Sequence, residues 1–221
     1  MGRAKYSPEA RNAIMAAFVK ATKKVIDEEG IEAASIRRVS TTAGYSSATL
    51  YLYFEDMSEL VAVSLISYLS EYVRDTIEST PENESPEEQY RRTWVLFCKH
   101  AFARPSLFLN LYYGPQSDNL DVIAEKYYEL FPGELERATG DMFEMLKRGN
   151  LRERNRVILE SFAGNLGLTE HETILANDLT IAYFHSFLLD AKEHDYSKKE
   201  LDKLVDRFME GAFFVLRHES K

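Results

Sequence analysis

Residues 35–54 read SIRRVSTTAGYSSATLYLYF and decide how this sequence folds. Ser35 is a typical N-cap residue for a short helix, and Gly44 suits the left-handed conformation that ends helices. Ser46 then starts a second short helix. The apolar residues recur so that one side of each helix faces a common core: Ile36, Val39, Ala43, Leu50 and Phe54. The segment therefore predicts two short helices joined by a tight turn, the arrangement of a helix-turn-helix.

The outward face of the second helix is predicted to be a contact surface. It carries small residues, hydroxyls and two phenols: Ser46, Ser47, Ala48, Thr49, Tyr51 and Tyr53. Hydroxyls and free backbone N–H groups at a helix start suit phosphate, while Ala48 and Thr49 are small enough to approach base edges. Arg37 adds a cation beside them. This surface favours DNA binding; the alternative is a three-helix packing corner whose serines are only caps.

The charge distribution is compatible with DNA binding although the net charge of the chain is −9. A DNA-binding surface needs Lys and Arg to displace phosphate counterions. Residues 1–57 hold eight basic and seven acidic residues, so nearly all of the acidity lies after them. The first 24 residues contain six basic residues and one acidic residue. The acidic part of the chain therefore does not have to approach DNA.

The N-terminal sequence resembles the TetR family of regulators. About 55 residues carry the resemblance, through Ala16-Ala-Phe18, Gly30, Ser35-Ile-Arg-Arg-Val39, Ala43-Gly-Tyr-Ser46, Ala48-Thr-Leu-Tyr-Leu-Tyr-Phe54 and Glu59-Leu60. The resemblance implies about nine helices, a homodimer, a palindromic operator and repression relieved by a small molecule. It also implies a DNA-binding domain over 1–57 and a ligand-binding and dimerisation domain over 58–221. The family's phosphate and base contacts fall on Ser35, Arg37, Ser47, Ala48, Thr49, Tyr51 and Tyr53.

Three residues depart from the family pattern. Ser40 replaces the usual Ala, Tyr45 replaces a small aliphatic residue, and Met57 replaces a Lys that contacts phosphate. The loss at Met57 removes an ionic contact. We expect Arg3 and Lys5, on an N-terminal arm, to compensate for it, so Lys5 is included among the DNA-binding residues.

The rest of the chain predicts an all-α fold with a helical-bundle domain. Leu, Glu, Ala and Lys fill the stretches between Pro and Gly, and no alternating strand pattern competes. Helices are expected over 8–29, 59–78, 86–103, 105–113, 152–163, 170–192 and 198–217. Residues 120–147 are expected to form one or two helices, depending on whether Pro132-Gly133 breaks or kinks them.

Two apolar groups in the second domain are candidate binding surfaces. The resemblance places an effector cavity among the middle helices, and an apolar or aromatic ligand is expected against Trp94, Phe97, Phe102, Tyr112, Tyr127, Phe131 and Phe143. The last two helices have broad apolar faces that favour a four-helix dimer interface through Leu175, Leu179, Phe187, Leu204, Phe208 and Phe213. In the alternative, both groups only fill the core of their own domain.

Other classes of function find little support in the sequence. An all-helical enzyme or small-molecule-binding protein without DNA binding is the alternative, but no GxSxG, HExxH or Gly-rich phosphate loop is present. The histidines lack metal-ligand spacing, so no metal or cofactor is expected. Cys98 is the sole cysteine and cannot form an internal disulfide. With no targeting segment or apolar span, we expect a cytoplasmic protein.

Overall fold

The computed structural model describes residues 7–134, 143, 145 and 148–218, and it confirms the all-α fold. These residues form ten α-helices and no strand: α1 Pro8–Glu29, α2 Ile36–Ala43, α3 Ser47–Leu50, α4 Met57–Glu78, α5 Pro86–Ala103, α6 Pro105–Tyr113, α7 Leu120–Leu130, α8 Leu151–Leu166, α9 Glu170–Glu193 and α10 Lys198–His218. Short 3-10 turns lie at Ile31–Ala33, Ser117–Asn119 and Pro132–Glu134.

Side-chain caps fix most of the helix starts. Ser35 Oγ accepts the Arg38 N–H at 3.4 Å, and complete capping boxes start α5 and α9. Helix α4 begins two residues before the expected Glu59, because the Asp56 carboxylate accepts the Glu59 N–H at 2.8 Å and acts as its N-cap. Asp56 therefore starts a helix at a position where the sequence pattern indicated only a break.

Two helix ends settle questions that the sequence left open. Gly44 ends α2 in the left-handed conformation, with φ of 75°, as predicted. Helix α7 ends at Leu130, so the Pro132-Gly133 pair breaks the helix. Proline has no N–H and disfavours helical backbone at the residue before it, and Phe131 has φ −133° and ψ 59°.

The long helix α4 belongs to the cores of both ends of the molecule. It packs against α1 near the N-terminus and against α5, α6 and α7 farther along. Helix α5 in turn packs on α8, α9 and α10. The buried apolar residues form one continuous cluster from Ile14 to Leu216. A movement among the later helices can therefore reach α1 to α3 through packed side chains.

In the part of the chain that the structure describes, no helix combines the length and apolar character needed to cross a bilayer.

Candidate DNA-binding surface and effector cavity

A closed apolar core holds the short helix α3 in place. Leu50 and Phe54 are buried beneath it, as predicted, and they pack with Val39 and Phe18. The Phe54 ring meets the Phe18 ring edge-on, with 6.4 Å between ring centroids. Because these side chains point inward, the opposite side of residues 46–52 faces solvent.

The solvent-facing side of α3 is broader than the sequence indicated. Ser47 and Ala48 are exposed, and 55% of Tyr51 is accessible. Leu52, which is also 55% accessible, and Tyr45 share this exposure but were not among the predicted contacts. The alternation with Leu50 and Phe54 is the signal that could have identified Leu52, because a residue between two inward-facing positions points outward.

Some of the predicted contact hydroxyls are already engaged. Ser46 Oγ accepts the Thr49 N–H at 3.2 Å and lies 2.8 Å from Thr49 Oγ1. Ser35 Oγ has the capping bond to Arg38 described above. Tyr53 is partly buried and packs against the core. Ser47, Ala48 and Tyr51 therefore form the most accessible part of the predicted set, while Ser35, Ser46 and Thr49 also serve as caps.

The charge on this surface rests mainly on Arg37. Arg37 is exposed, and it has no ion-pair partner among the described residues. The neighbouring Arg38 is instead bound to the Glu29 carboxylate, to which its Nε donates at 2.8 Å. Met57 is partly buried against the core, where the family pattern has a phosphate-binding Lys. Lys5 and Arg3 lie outside the described residues.

The predicted effector residues do not surround one cavity. Trp94, Phe97 and Tyr112 line an internal cavity between α5, α6 and α8 with a volume of about 20 Å³, which is room for one water molecule. Tyr127 and Phe131 instead line a separate cleft beside α1 and α4. The remaining two members of the set, Phe102 and Phe143, pack within or against the core.

The small cavity carries a buried polar network that the aromatic pattern did not predict. The Trp94 indole N–H donates to Asn155 Oδ1 at 2.7 Å, and the Asn155 amide donates to Asn177 at 2.9 Å. Arg154 is buried as well and donates to the Tyr112 hydroxyl at 3.0 Å. Among the described residues, the buried Thr93 hydroxyl has no hydrogen-bond partner. The cavity can therefore offer polar groups as well as aromatic rings to a ligand.

Electrostatics keep this cavity ready to form hydrogen bonds. Burial raises the pKa of the Tyr112 hydroxyl, although the neighbouring Arg154 cation opposes the rise. The phenol therefore stays protonated near neutral pH. Arg154 escaped the sequence reasoning because an arginine is seldom fully buried, and nothing in its neighbours along the chain indicates burial.

The predicted dimer residues divide between the surface and the core. Leu175 and Leu179 on α9 are exposed, together with Ile174 and Leu189. The other four predicted residues are buried inside the same chain: Phe187, Leu204, Phe208 and Phe213. Their rings fill the space between α5, α9 and α10, so the apolar surface that remains free lies mainly along α9.

Comparisons with known proteins agree with this arrangement. Residues 18–63 match the family model described as bacterial regulatory proteins, tetR family. No curated protein matches the chain. A TetR transcriptional regulator from Streptomyces coelicolor has a similar structure, with 13% identity, a TM-score of 0.54, and coverage of 97% of this chain and 98% of that chain. The regulator FadR from Bacillus subtilis, solved in complex with stearoyl-CoA, has 16% identity, a TM-score of 0.52, and coverage of 89% and 96%.

The family match and the structural likeness support each other. The matched segment runs from Phe18 to Val63 and contains α2, α3, the turn between them and the start of α4. At such low sequence identity the solved structures show the fold alone, and that fold extends over nearly the whole chain. The chain belongs to the TetR family of transcriptional regulators, and residues 35–54 form its helix-turn-helix.

Proposed function

We propose that the protein is a homodimeric repressor that binds a palindromic operator and leaves it when a small apolar or aromatic molecule binds. Residues 1–57 would form the DNA-binding domain, and residues 58–221 the effector and dimerisation domain. The observation that carries this proposal is the exposed face of Ser47, Ala48 and Tyr51 on a helix whose other side is fixed by Leu50 and Phe54. A rigid helix with a small-residue face fits the major groove closely.

The exposed residues of this face have different roles in the proposed complex. Tyr51 projects far enough to donate its hydroxyl to a phosphate, which positions the helix without reading sequence. Ala48 and Thr49 are small enough to lie against base edges and thymine methyl groups. Because Thr49 Oγ1 is held by Ser46, its methyl group is the part that is free to meet a base.

The exposed face of α9 supports a homodimer. Ile174, Leu175, Leu179 and Leu189 recur at helical spacing and are each at least 40% accessible. A row of large apolar side chains on a helix surface is typical of a protein–protein contact. A second copy that packs α9 against this row would place two reading helices side by side, as a palindromic site requires.

The effector cavity supports ligand control through a change of shape. A volume of about 20 Å³ is far below that of a drug-sized binding site, so a ligand must separate the helices around Trp94 in order to enter. A ligand that prefers this opened state shifts the population toward it. The stearoyl-CoA bound to FadR shows that a relative of the same fold accepts a ligand with a long apolar chain.

Binding to the DNA that flanks the gene tests the proposed function. We expect the protein to shift this DNA in a gel assay and to give one palindromic motif in selection from random sequences. Tyr51→Phe should weaken binding to all sequences alike by about tenfold, since a lost hydrogen bond to a charged group costs about 1.5–3 kcal/mol. Thr49→Ala should instead change the preferred base at one position in each half-site.

The control is Tyr113→Phe, which alters a comparably exposed tyrosine on α6 and should leave DNA binding unchanged. If the folded wild-type protein selects no DNA sequence, the proposal fails, and an all-helical ligand-binding protein or enzyme without DNA binding takes its place. A monomer in sedimentation at micromolar concentration would contradict the dimer.

A further inference from the structure

One lysine from the larger helical part reaches the end of the reading segment, which we define as residues 46–54. Lys126 lies on α7, and its Nζ donates to the backbone carbonyl of Tyr53 at 3.0 Å. The same Nζ binds the Glu59 carboxylate and lies 4.6 Å from the centre of the Phe54 ring. Three groups on both sides of the turn between α3 and α4 thus share one cation.

The Glu59 carboxylate extends this contact to the turn itself. Its second oxygen accepts the backbone N–H of Glu55 at 2.6 Å. Lys126 and Glu59 are mostly buried, with 21% and 13% of their side chains accessible. Removing one member of a buried ion pair leaves the other uncompensated, so this pair resists separation.

A second contact joins the same two regions. Gln116, in the segment before α7, donates from Nε2 to Ser58 Oγ at 3.0 Å. Ser58 Oγ in turn donates to the Asp56 carboxylate that caps α4. Residues 116–126 therefore contact residues 53–59 at two points that are independent of the packing along α4.

We propose that Lys126 is a positioning residue for DNA recognition, which fixes the end of the reading segment to α7 and so sets the orientation of α3. The inference rests on the proposed function, since it concerns how α3 is presented to DNA. A direct phosphate contact is the competing role for a lysine near this segment. The position of Nζ, enclosed by a carbonyl, a carboxylate and a ring, favours the positioning role.

The consequence is a second connection between the effector region and the reading helix. Helix α7 packs along α4 and also touches α1, and Tyr127, the next residue, lines the cleft beside them. A displacement of α7 therefore pulls directly on the Tyr53 carbonyl. The spacing of two reading helices in a dimer is then set by α7 as well as by the long helix α4.

Lys126→Met removes the charge and the donor but keeps most of the apolar stem. We expect operator affinity to fall about tenfold, while the slope of log affinity against log salt stays that of the wild type. Amide exchange at Glu55 and in residues 51–56 should become faster, because their anchor is lost. Lys126→Arg, which keeps a cationic donor, should recover most of the affinity.

Two further variants isolate the contact. Lys99→Met changes an exposed lysine on α5 in the same way and should alter neither affinity nor exchange. In a Glu59→Gln background the added effect of Lys126→Met should shrink, because the two residues act through one interaction.

Three results would overturn the inference. In the first, affinity and amide exchange of Lys126→Met both match the wild type. In the second, the salt slope falls by about one while exchange is unchanged, which identifies a phosphate contact. In the third, Lys126→Arg is as weak as Lys126→Met. If wild-type protein binds no DNA at all, the proposed function fails first, and amide exchange still reports whether Lys126 holds the turn.

Discussion

Replacing Asn155 by leucine should destabilise the protein far more than its size suggests. The Asn155 side chain is buried on α8, where it accepts the Trp94 indole N–H and donates to Asn177, so that it joins α5, α8 and α9. Leucine fills nearly the same volume and keeps water out, but it leaves the indole N–H and the Asn177 oxygen without partners. Each unsatisfied buried group costs about 1–3 kcal/mol.

The expected loss is therefore about 2–6 kcal/mol of unfolding free energy, from two such groups. For a chain of this size that lowers the thermal midpoint by about 4 °C or more. Urea and thermal unfolding followed by the fluorescence of Trp94, the single tryptophan, measure it directly. Protein concentration must be held constant, since a dimer's midpoint depends on it.

The matched control is Asn165→Leu, on the exposed side of the same helix. We expect it to change the unfolding free energy by less than about 0.5 kcal/mol, as is usual for surface substitutions. If Asn155→Leu and Asn165→Leu destabilise equally, the hydrogen-bonded junction does not hold the three helices together.

Three smaller predictions test other local features. Partial burial raises the pKa of Asp27, but hydrogen bonds from the Tyr68 hydroxyl and the Lys23 ammonium outweigh it, so the pKa lies below its usual value. Its contribution to stability is then present above the unfolded pKa of about 4 and is lost as the pH falls through the folded pKa. Asp27→Asn should accordingly destabilise at pH 7 and much less at pH 3, and an equal loss at both pH values would contradict this. Burial raises the pKa of the Cys98 thiol, so a thiol reagent should modify it only after unfolding; rapid reaction with native protein would show that the site opens. Gly44→Ala should cost about 1–2 kcal/mol because of the positive φ alone, since no atom lies near an added Cβ. Gly164→Ala, in an open position inside α8, should cost nothing, and equal effects of the two would refute the conformational argument.

Local signals along the chain predicted most of the fold. Capping residues act within three or four positions, so Ser35, Ser85 and Thr169 identified helix starts from neighbouring residues alone. Gly44 marked the turn for the same reason. The inward positions Leu50 and Phe54 followed from spacing, and with them the exposed side of α3.

Features that depend on distant residues were not predictable in this way. Helical spacing shows that α10 has an apolar face, but it cannot tell whether that face meets its own chain or a partner. Phe208 proved to lie among rings of α5 and α9. Lys126 and Tyr53 are 73 positions apart, and Trp94 and Asn155 are 61 apart. Only the packing of whole helices brings such pairs together.

The small size of the cavity beside Trp94 has a consequence for the speed of the response. An effector that enters a space of about 20 Å³ must wait for the surrounding helices to separate. At low effector concentration the rate of binding rises with each addition, but at high concentration it levels off at the rate of opening. The shortest delay between the arrival of an effector and the release of DNA would then be a property of the protein's own motion.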